Sequence, residues 1–266
     1  MDYLAHNVCW DLLFEEALIQ IFSKLDFDSL ISVASVCYSW RCVAHYPECW
    51  DYVGFCHLER FLDHYIKETV ISDLQYRLFR ESEYMIKHVG AGAKSIWVHP
   101  VADDTMVQRI VDRCPSIESI SLRYCNRISP SALINIIQAC KLLKFIDIKF
   151  CGAVNFCSPL STLLIEEMGH SCPSLVGINL GGLQVTEEMA IAIGKFLPKL
   201  KWLNLNAATI SCEALCIILD SCNELDHVSV RGCRRLILKD ELKNWARRIA
   251  EFKYYPEVQQ MELVLD

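Results

Sequence analysis

The sequence predicts an α/β protein in which an all-helical N-terminal segment is followed by a short, curved solenoid of alternating strands and helices. Two observations support this fold class. Between Trp10 and Trp50, apolar residues recur at helical spacing, and beyond residue 93 a short aliphatic phrase repeats every 24 to 32 residues. A repeat of that length, with aliphatic residues at alternate positions, is typical of stacked supersecondary units.

The repeated phrase is Cys-x-x-aliphatic-x-x-aliphatic-x-aliphatic-x-x-Cys. Full copies begin at Cys114, Cys140 and Cys222, and two further copies keep the aliphatic frame but lack some of the cysteines. A weaker copy comes first, at Ile96 and Val98. The central aliphatic residues stand at 96, 120, 146, 178, 203 and 228. Because the aliphatic residues alternate with other residues, we predict a short strand at each of these positions.

A candidate helix follows each strand and begins with a polar residue. Ser129–Pro130, Thr186, Ser211 and the pair Asp103–Asp104 all precede apolar residues at helical spacing. Side-chain oxygens of Ser, Thr and Asp accept hydrogen bonds from the free N–H groups at a helix start, and proline suits the first helical position. The longest step, from 146 to 178, includes extra residues around Gly152–Pro159, which predict a longer loop.

Composition narrows the classes of function. The chain has 266 residues, 53% of them apolar, and a formal charge of −7. We expect no membrane span, no secretion signal and no general nucleic-acid binding, because the sequence lacks a long apolar run, a basic leader and clustered cations. Catalytic and phosphate-binding motifs are also missing. We therefore expect a non-catalytic intracellular protein without a cofactor or metal, in the cytoplasm and/or nucleus.

Most of the fifteen cysteines have a packing explanation. Seven stand in phase with the repeat and should be small buried groups, namely Cys114, Cys125, Cys140, Cys151, Cys172, Cys222 and Cys233. An odd total without a secretion signal fits a reduced protein. Zinc is an alternative, for which Cys37, Cys42, His45 and Cys49 have the nearest spacing, but they fall among apolar helix positions. A second alternative is a transferase that uses a cysteine nucleophile. Such a thiol must be partly exposed and lie in electropositive surroundings.

Residues 10–50 carry a recognisable pattern. The phrases are Leu13-Phe-Glu-Glu16, Leu18-Ile-Gln-Ile-Phe-Ser-Lys-Leu25, Val36-Cys-Tyr-Ser-Trp-Arg41 and Pro47-Glu-Cys-Trp50, with Leu30 between the second and third. This segment resembles the F-box, and with the repeats the chain is similar to plant-type F-box/leucine-rich-repeat proteins of the cysteine-containing subclass. Phe14 stands where the family has proline. That difference is expected to weaken the helix start or reshape its contact with a partner.

The resemblance implies binding of a Skp1-like adaptor and, through it, a cullin. The chain would be a non-catalytic substrate receptor of an SCF-type ubiquitin ligase whose repeats hold a protein client of unknown identity. The residues expected at the adaptor contact, or supporting it, are Leu13, Phe14, Leu18, Ile21, Phe22, Leu25, Leu30, Val36 and Trp40. The alternative is a non-ligase interaction scaffold with a weakened F-box.

The predicted domains are the F-box at 10–50, a helical connection at 51–92, the leucine-rich repeats at 93–239, and a C-terminal cap at 240–266. The cap should consist of a helix over 240–252 and a further strand after it. Charged pairs such as Arg234–Arg235 and Arg247–Arg248 are interpreted as solvated faces.

The alternating strand positions define a candidate client surface. If the aliphatic residues point inward, their neighbours face the concave side of the solenoid. These neighbours are Trp97, His99, Arg123, Phe145, Asp147, Lys149, Asn179, Trp202, Asn204, Asn206, His227 and Arg231. Aromatic residues and arginine dominate the energetics of protein interfaces, so Trp97, Phe145 and Trp202 with the two arginines form the predicted docking face. The alternative is that the chain itself covers one or more of these aromatics.

Overall fold

The computed structural model describes residues 13–25, 27–44, 46–50, 52–53, 93–98, 102–151, 159–236 and 248–254. The predicted His99, the longer loop within 152–158 and the strand predicted after residue 254 lie outside these ranges. Within them, an all-helical N-terminal segment precedes a solenoid of parallel strands and helices, which confirms the predicted fold class. No helix in the described ranges is long and apolar enough to cross a membrane.

Three short helices and a 3₁₀ turn form the N-terminal segment. They are α1 (Glu15–Phe22), α2 (Phe27–Val33), α3 (Tyr38–Ala44) and the 3₁₀ turn Pro47–Trp50. Leu18, Phe22 and Leu30 are buried between them, together with Val43 at the end of α3. The apolar stripes therefore form the internal core of this segment, as amphipathic helices do when they pack on one another.

The solenoid strands form one parallel sheet of eight strands. They are β1 (Tyr52–Val53), β2 (Ser95–Trp97), β3 (Ser119–Ser121), β4 (Phe145–Asp147), β5 (Gly177–Asn179), β7 (Trp202–Asn204), β9 (His227–Ser229) and β10 (Glu251–Lys253), in that spatial order. Two more strands, β6 (Gln184–Val185) and β8 (Thr209–Ile210), pair separately. The register places the six central aliphatic residues of the template side by side, and each of them is buried.

Within the described repeats, five helices run on the other side of the sheet. They are α4 (Asp104–Arg113), α5 (Pro130–Ala139), α6 (Pro159–Ser171), α7 (Glu187–Phe196) and α8 (Cys212–Ser221), and each contacts the next. Four begin at a predicted cap: the side chains of Asp103, Ser129, Thr186 and Ser211 accept a hydrogen bond from the backbone N–H three residues on. Pro130 occupies the first turn of α5.

The seven repeat cysteines are buried, as predicted. Some of these thiols also donate to the preceding repeat: Cys151 Sγ lies 3.3 Å from the carbonyl oxygen of Cys125, and Cys233 Sγ lies 3.0 Å from the carbonyl oxygen of Leu205. A cysteine thus fills a small apolar space and adds a weak donor between repeats. Burial raises the pKa of Cys114 to about 11 and that of Cys140 to about 12.

A tight turn recurs four residues after the central residues of β3, β4, β5, β7 and β9. Tyr124, Phe150, Gly182, Ala207 and Gly232 occupy it, with φ of 59°, 51°, 72°, 59° and 61°. In the first four, the backbone N–H donates to a carbonyl of the following repeat. Left-handed backbone is unfavourable for residues other than glycine, so this inter-repeat hydrogen bond compensates for the strain at Tyr124, Phe150 and Ala207.

Two predicted boundaries require correction. The sequence predicted that Tyr52–Val53 belong to a helical connection. They instead form strand β1, which begins one residue after the end of the 3₁₀ turn and pairs with β2. Glu251–Lys253, which overlap the predicted helix over 240–252, form β10 and pair with β9. Phe252 fits both a helical stripe and a strand alternation. Parallel pairing at the sheet edge, with Phe252 opposite Val228, decides in favour of the strand.

Candidate functional site

The N-terminal segment exposes a group of large apolar side chains. Phe14 is 79% exposed, Ile21 47%, Val36 62% and Tyr38 80%. We call these four residues the apolar patch. Exposed apolar side chains concentrated in about 25 residues are typical of an interaction surface.

The predicted adaptor residues divide into three groups. Phe14, Ile21 and Val36 are exposed, while Leu13, Leu25 and Trp40 are partly buried against the core. The remaining three, Leu18, Phe22 and Leu30, are at most 2% exposed and belong to the core, so of the two predicted roles only the supporting one is open to them. They lie on the inward side of their stripes, where the helices pack on each other, and so they support the surface from below.

Sequence reasoning missed Tyr38 as a surface residue. It stands at the start of α3, on the side of the helix shared with the exposed Cys42 four residues later. Trp40, Val43 and Ala44 occupy the inner side. The i, i+4 relation of Tyr38 and Cys42, out of phase with the inner stripe, is the signal that could have identified it.

The first helix begins at Phe14. The backbone there has φ −60° and ψ 142°, and the Phe14 carbonyl accepts hydrogen bonds from the N–H groups of Ala17 and Leu18. Its side chain provides no cap. A φ of −60° is the value at which proline is fixed, so the backbone retains the geometry of the family's proline although the residue is different.

Further contacts fix the arrangement of these helices. The hydroxyl of Tyr46 donates to the Glu15 carboxylate, which raises the pKa of Tyr46 and ties the end of the segment to the first turn of α1. Arg41 Nε donates to the carbonyl of Ala34 at 3.1 Å. The ring of Trp40 packs edge-on against Phe22 with centroids 5.4 Å apart. The helices that carry the apolar patch are therefore held together by side-chain contacts.

A second surface lies on the side of the sheet away from the helices, which we call the concave face. At its N-terminal end, Arg123, two residues after β3, contacts both Trp97 on β2 and Asp147 on β4. The Arg123 guanidinium lies 5.0 Å from the Trp97 ring centre and forms an ion pair with Asp147. Asp147 also accepts from the backbone N–H of Lys149 at 3.1 Å.

Phe145, Trp202 and His227 hold the same register position on their strands, with Gly177 between the first two. Phe145 is 43% exposed, and its ring lies over Gly177, where no side chain intervenes. Trp202 stacks on His227 with ring centres 5.6 Å apart. One face of the Trp97 ring is thus covered by Arg123 and one face of the Trp202 ring by His227, and both rings remain partly accessible.

His227 connects this row to the last strand. Its Nδ1 lies 2.6 Å from Glu251 Oε2. Burial, with the nearby charges of Lys253 and Arg231, lowers the pKa of His227. The lowered pKa favours the neutral ring, whose Nδ1–H can donate to the Glu251 carboxylate.

The predicted polar residues have structural partners. Asn179 is corrected as a client residue: it is 1% exposed, and its side chain accepts from the backbone N–H of Gly181 at 3.0 Å. Asn204 accepts in the same way from Asn206 at 2.9 Å. Asn206 Oδ1 accepts from Ser229 Oγ at 2.7 Å and from the N–H of Arg231 at 2.9 Å. Asn204, Asn206 and the exposed Arg231 remain accessible on this face.

The described residues show no metal centre, and burial disfavours activation of the repeat thiols. No group of three or more His, Cys, Asp or Glu side chains in the described ranges could hold a metal ion. Burial raises the pKa of Cys172, Cys222 and Cys233 to about 11, which disfavours the thiolate that nucleophilic chemistry requires.

Comparison with known proteins identifies both parts of the chain. The family profile described as F-box-like matches residues 10–55, the segment that carries the apolar patch. F-box protein SKIP1 of Arabidopsis thaliana is 24% identical over 278 aligned residues, covering 96% of this chain and 87% of that protein. F-box/LRR-repeat protein 21 of the same plant is 30% identical over 156 residues, 53% of this chain and 50% of that protein.

The chain is an F-box/leucine-rich-repeat protein. Another relative, F-box protein FBW2 of Arabidopsis thaliana, is 25% identical over 232 residues, 84% of this chain and 68% of that protein. Among solved structures, a chain in the crystal structure of the yeast Rad7 and Elc1 complex matches with a TM-score of 0.50 and 14% identity. That match covers 76% of this F-box/leucine-rich-repeat protein and 53% of the other chain, and it supports the fold alone.

The domain and its relatives support a general role for this F-box/leucine-rich-repeat protein as an SCF-type substrate adaptor. F-box proteins are in general non-catalytic receptors. The two surfaces are consistent with such a role, since one lies within the F-box-like segment and the other within the repeats.

Proposed function

We propose that this protein is the substrate receptor of an SCF-type ubiquitin ligase. Its apolar patch binds a Skp1-like adaptor, which connects it to a cullin, and its concave face holds a protein client. The observation that carries the proposal is the F-box-like segment with four large apolar side chains exposed on helices that side-chain contacts hold together. The name of the relative F-box protein SKIP1 and the general role of F-box proteins support the adaptor as partner.

In this mechanism the protein positions its client for ubiquitination and catalyses no chemical step itself. A receptor that binds adaptor and client at the same time raises the effective concentration of client lysines near the ubiquitin-loaded enzyme. A stiff connection favours this role. The 3₁₀ turn Pro47–Trp50 leads after one residue into β1, which is hydrogen-bonded to the repeat sheet, so few freely rotating bonds separate the two surfaces.

An intracellular location belongs to the same proposal, in the cytoplasm, the nucleus or both. The twelve cysteines found in the described ranges are in the thiol form, as expected for a reducing compartment.

One observation favours a second candidate, a repeat scaffold that does not assemble a ligase. The family's proline is replaced by Phe14, whose exposed ring provides no cap to the first helix. A weakened F-box would leave the repeats as the active part of the protein.

Co-expression with a Skp1-like adaptor and a cullin separates the two candidates. The receptor proposal predicts that the full chain co-purifies with both proteins, and that an Ile21→Asp/Tyr38→Asp variant loses them. Ile191→Asp is the matched control, because Ile191 is also 55% exposed but lies on α7 of the repeats. Failure of the wild type to co-purify, with recovery by Phe14→Pro, would favour the scaffold.

A further inference from the structure

The concave face has a charge that differs in sign from the chain as a whole. The protein carries a formal charge of −7, yet the described positions of this face include four cations, Arg123, Lys149, Arg231 and Lys253. Its two acids, Asp147 and Glu251, are already engaged, the first by Arg123 and the second by Lys253 and His227. The face therefore presents net positive charge to a partner.

Lys149 is the best placed of these cations. Its ammonium lies 5.3 Å from the ring centre of Phe150, and none of the ion pairs formed among the described residues includes it. Its aliphatic stem runs over Gly181, where an added Cβ would lie 3.0 Å from Lys149 Cγ. The side chain is thus held in position by packing, and its charge is available to an incoming anion.

An apolar platform lies beside this cation. On β5 the concave side is formed by Gly177 and the buried Asn179, so no side chain of that strand projects. Phe145 on β4 lies over Gly177, and Trp202 on β7 borders it on the other side. A large apolar side chain of a partner can rest against these two rings, which is the kind of contact that contributes most at protein interfaces.

We propose that the client segment recognised here combines a large apolar residue with an acidic group, either a carboxylate or a phosphate, about four residues away. The inference rests on the proposed function, because it assigns the client chemistry of the same face. Phe145 and Lys149 are four residues apart along one strand and its following turn, a span of roughly 13 Å at the rise of an extended chain. An extended segment lying along β5 matches that span with the apolar side chain on Phe145 and Trp202 and the acid at Lys149.

Immobilised peptide pools test this chemistry on the full-length protein. Each pool consists of nonamers with Leu at position 3, a fixed residue at position 7 and uncharged residues elsewhere. The fixed residue is Glu in one pool, phosphoserine in the second and Lys in the third, and the reversed order is tested in parallel. A fourth pool replaces Leu by Ala while keeping Glu.

The Glu pool, the phosphoserine pool or both should retain the protein at least about tenfold more tightly than the Lys pool, with binding that weakens as salt rises. Retention by phosphoserine alone identifies a client modification as the acid, and retention by Glu alone identifies an unmodified segment. The Ala pool should bind more weakly than its Leu counterpart, and Phe145→Ala should abolish that difference.

Lys195 provides the matched control for Lys149. It is exposed on α7 and lies over the ring of Phe196 at 4.6 Å, so it repeats the cation–aromatic contact outside the concave face. Lys149→Gln should reduce retention several-fold, and Lys195→Gln should not. Equal retention of the Lys pool, an equal effect of the two variants, or displacement of the peptides by single-stranded DNA as the tighter ligand would overturn the inference.

Adaptor binding, measured on the same preparations, separates this inference from the proposed function. Intact adaptor binding without selection for acidic pools rejects the client chemistry alone. Selection for acidic pools without adaptor binding rejects the ligase role and leaves the preference of the concave face in place.

Discussion

The ring of Phe145 lies over the backbone of Gly177 on the neighbouring strand, at the position where any other residue would place its Cβ. Gly177 and Phe145 therefore form one unit of the concave face, in which the glycine provides the space and the aromatic ring fills it. The tip of the ring can rotate away, because Phe145 is already 43% exposed.

Alanine at Gly177 should consequently be tolerated. We expect a change in the free energy of unfolding within about 1 kcal/mol, since the ring can move and an alanine restricts the unfolded chain. Gly169→Ala is the contrasting variant: its Cβ would lie 2.5 Å from the carbonyl oxygen of Phe196, a backbone atom that cannot rotate away. That variant should lose about 1 to 3 kcal/mol. Urea denaturation measures both, and a larger loss for Gly177→Ala would contradict the assignment.

Phe14→Pro should stabilise the start of α1. The φ of −60° at Phe14 suits proline, and the backbone N–H of Phe14 makes no hydrogen bond among the described residues. We expect a gain of about 0.4 to 1 kcal/mol, which comes from restricting the unfolded chain, together with tighter adaptor binding. Thermal denaturation measures the change in stability, and adaptor titration measures the change in affinity. Phe14→Ala removes the ring without fixing φ, so it should give no such gain; a loss of stability with proline would count against the described backbone.

Asn206 should couple the last repeats. Its Oδ1 accepts from Ser229, which is 3% exposed, and from the backbone of Arg231. Asn206→Ala leaves a buried hydroxyl without this acceptor and should lower the free energy of unfolding by about 1 to 3 kcal/mol. Asn206→Asp keeps an acceptor oxygen at the same place and should lose less. Chemical denaturation distinguishes the variants, and equal losses would show that the acceptor has no role.

Alkaline pH should destabilise the repeats through their buried thiols. The pKa of Cys140 is raised from its ordinary value near 9 to about 12, chiefly by burial. Above pH 9 the unfolded chain releases this proton and the folded chain keeps it, so the free energy of unfolding falls as pH rises from about 9 to 12. For one such thiol the slope approaches ~1.4 kcal/mol per pH unit.

Removing the Cys140 thiol tests whether it causes this fall in stability with rising pH. Cys140→Ala should show a shallower decline of the urea midpoint between pH 8 and pH 10.5 than the wild type does. Cys42→Ala is the control for the loss of a thiol, because Cys42 is exposed whereas Cys140 is buried. Identical slopes for all three proteins would show that Cys140 does not remain protonated in the folded state.

The repeat architecture could be predicted because its signals are local and recur in phase. An aliphatic residue at 120, 146 or 203 has the same neighbours in each repeat, and Ser129, Thr186 and Ser211 each cap the helix that they precede. Helical stripes in the N-terminal segment were equally visible, since Leu18 and Phe22 fall on one side of α1.

The remaining features depend on contacts between distant parts of the chain. Asn179 faces the concave side by alternation, yet the side chains around Gly181 bury it, and no spacing rule shows that. Leu18 and Ile21 belong to one apolar stripe, but only packing of α1 against α3 decides that the first is core and the second is surface. Phe252 joins the sheet because β9 offers it a free edge.

The affinity of the full chain for a purified Skp1-like adaptor, measured by titration calorimetry, tests the central claim most directly. The account predicts saturable one-to-one binding, a loss of at least about 30-fold on replacing the exposed Ile21 or Val36 by Asp, and no change for Ile191→Asp. Absence of binding by the wild type, whether or not Phe14→Pro restores it, or equal losses for Ile21→Asp and Ile191→Asp, would contradict it.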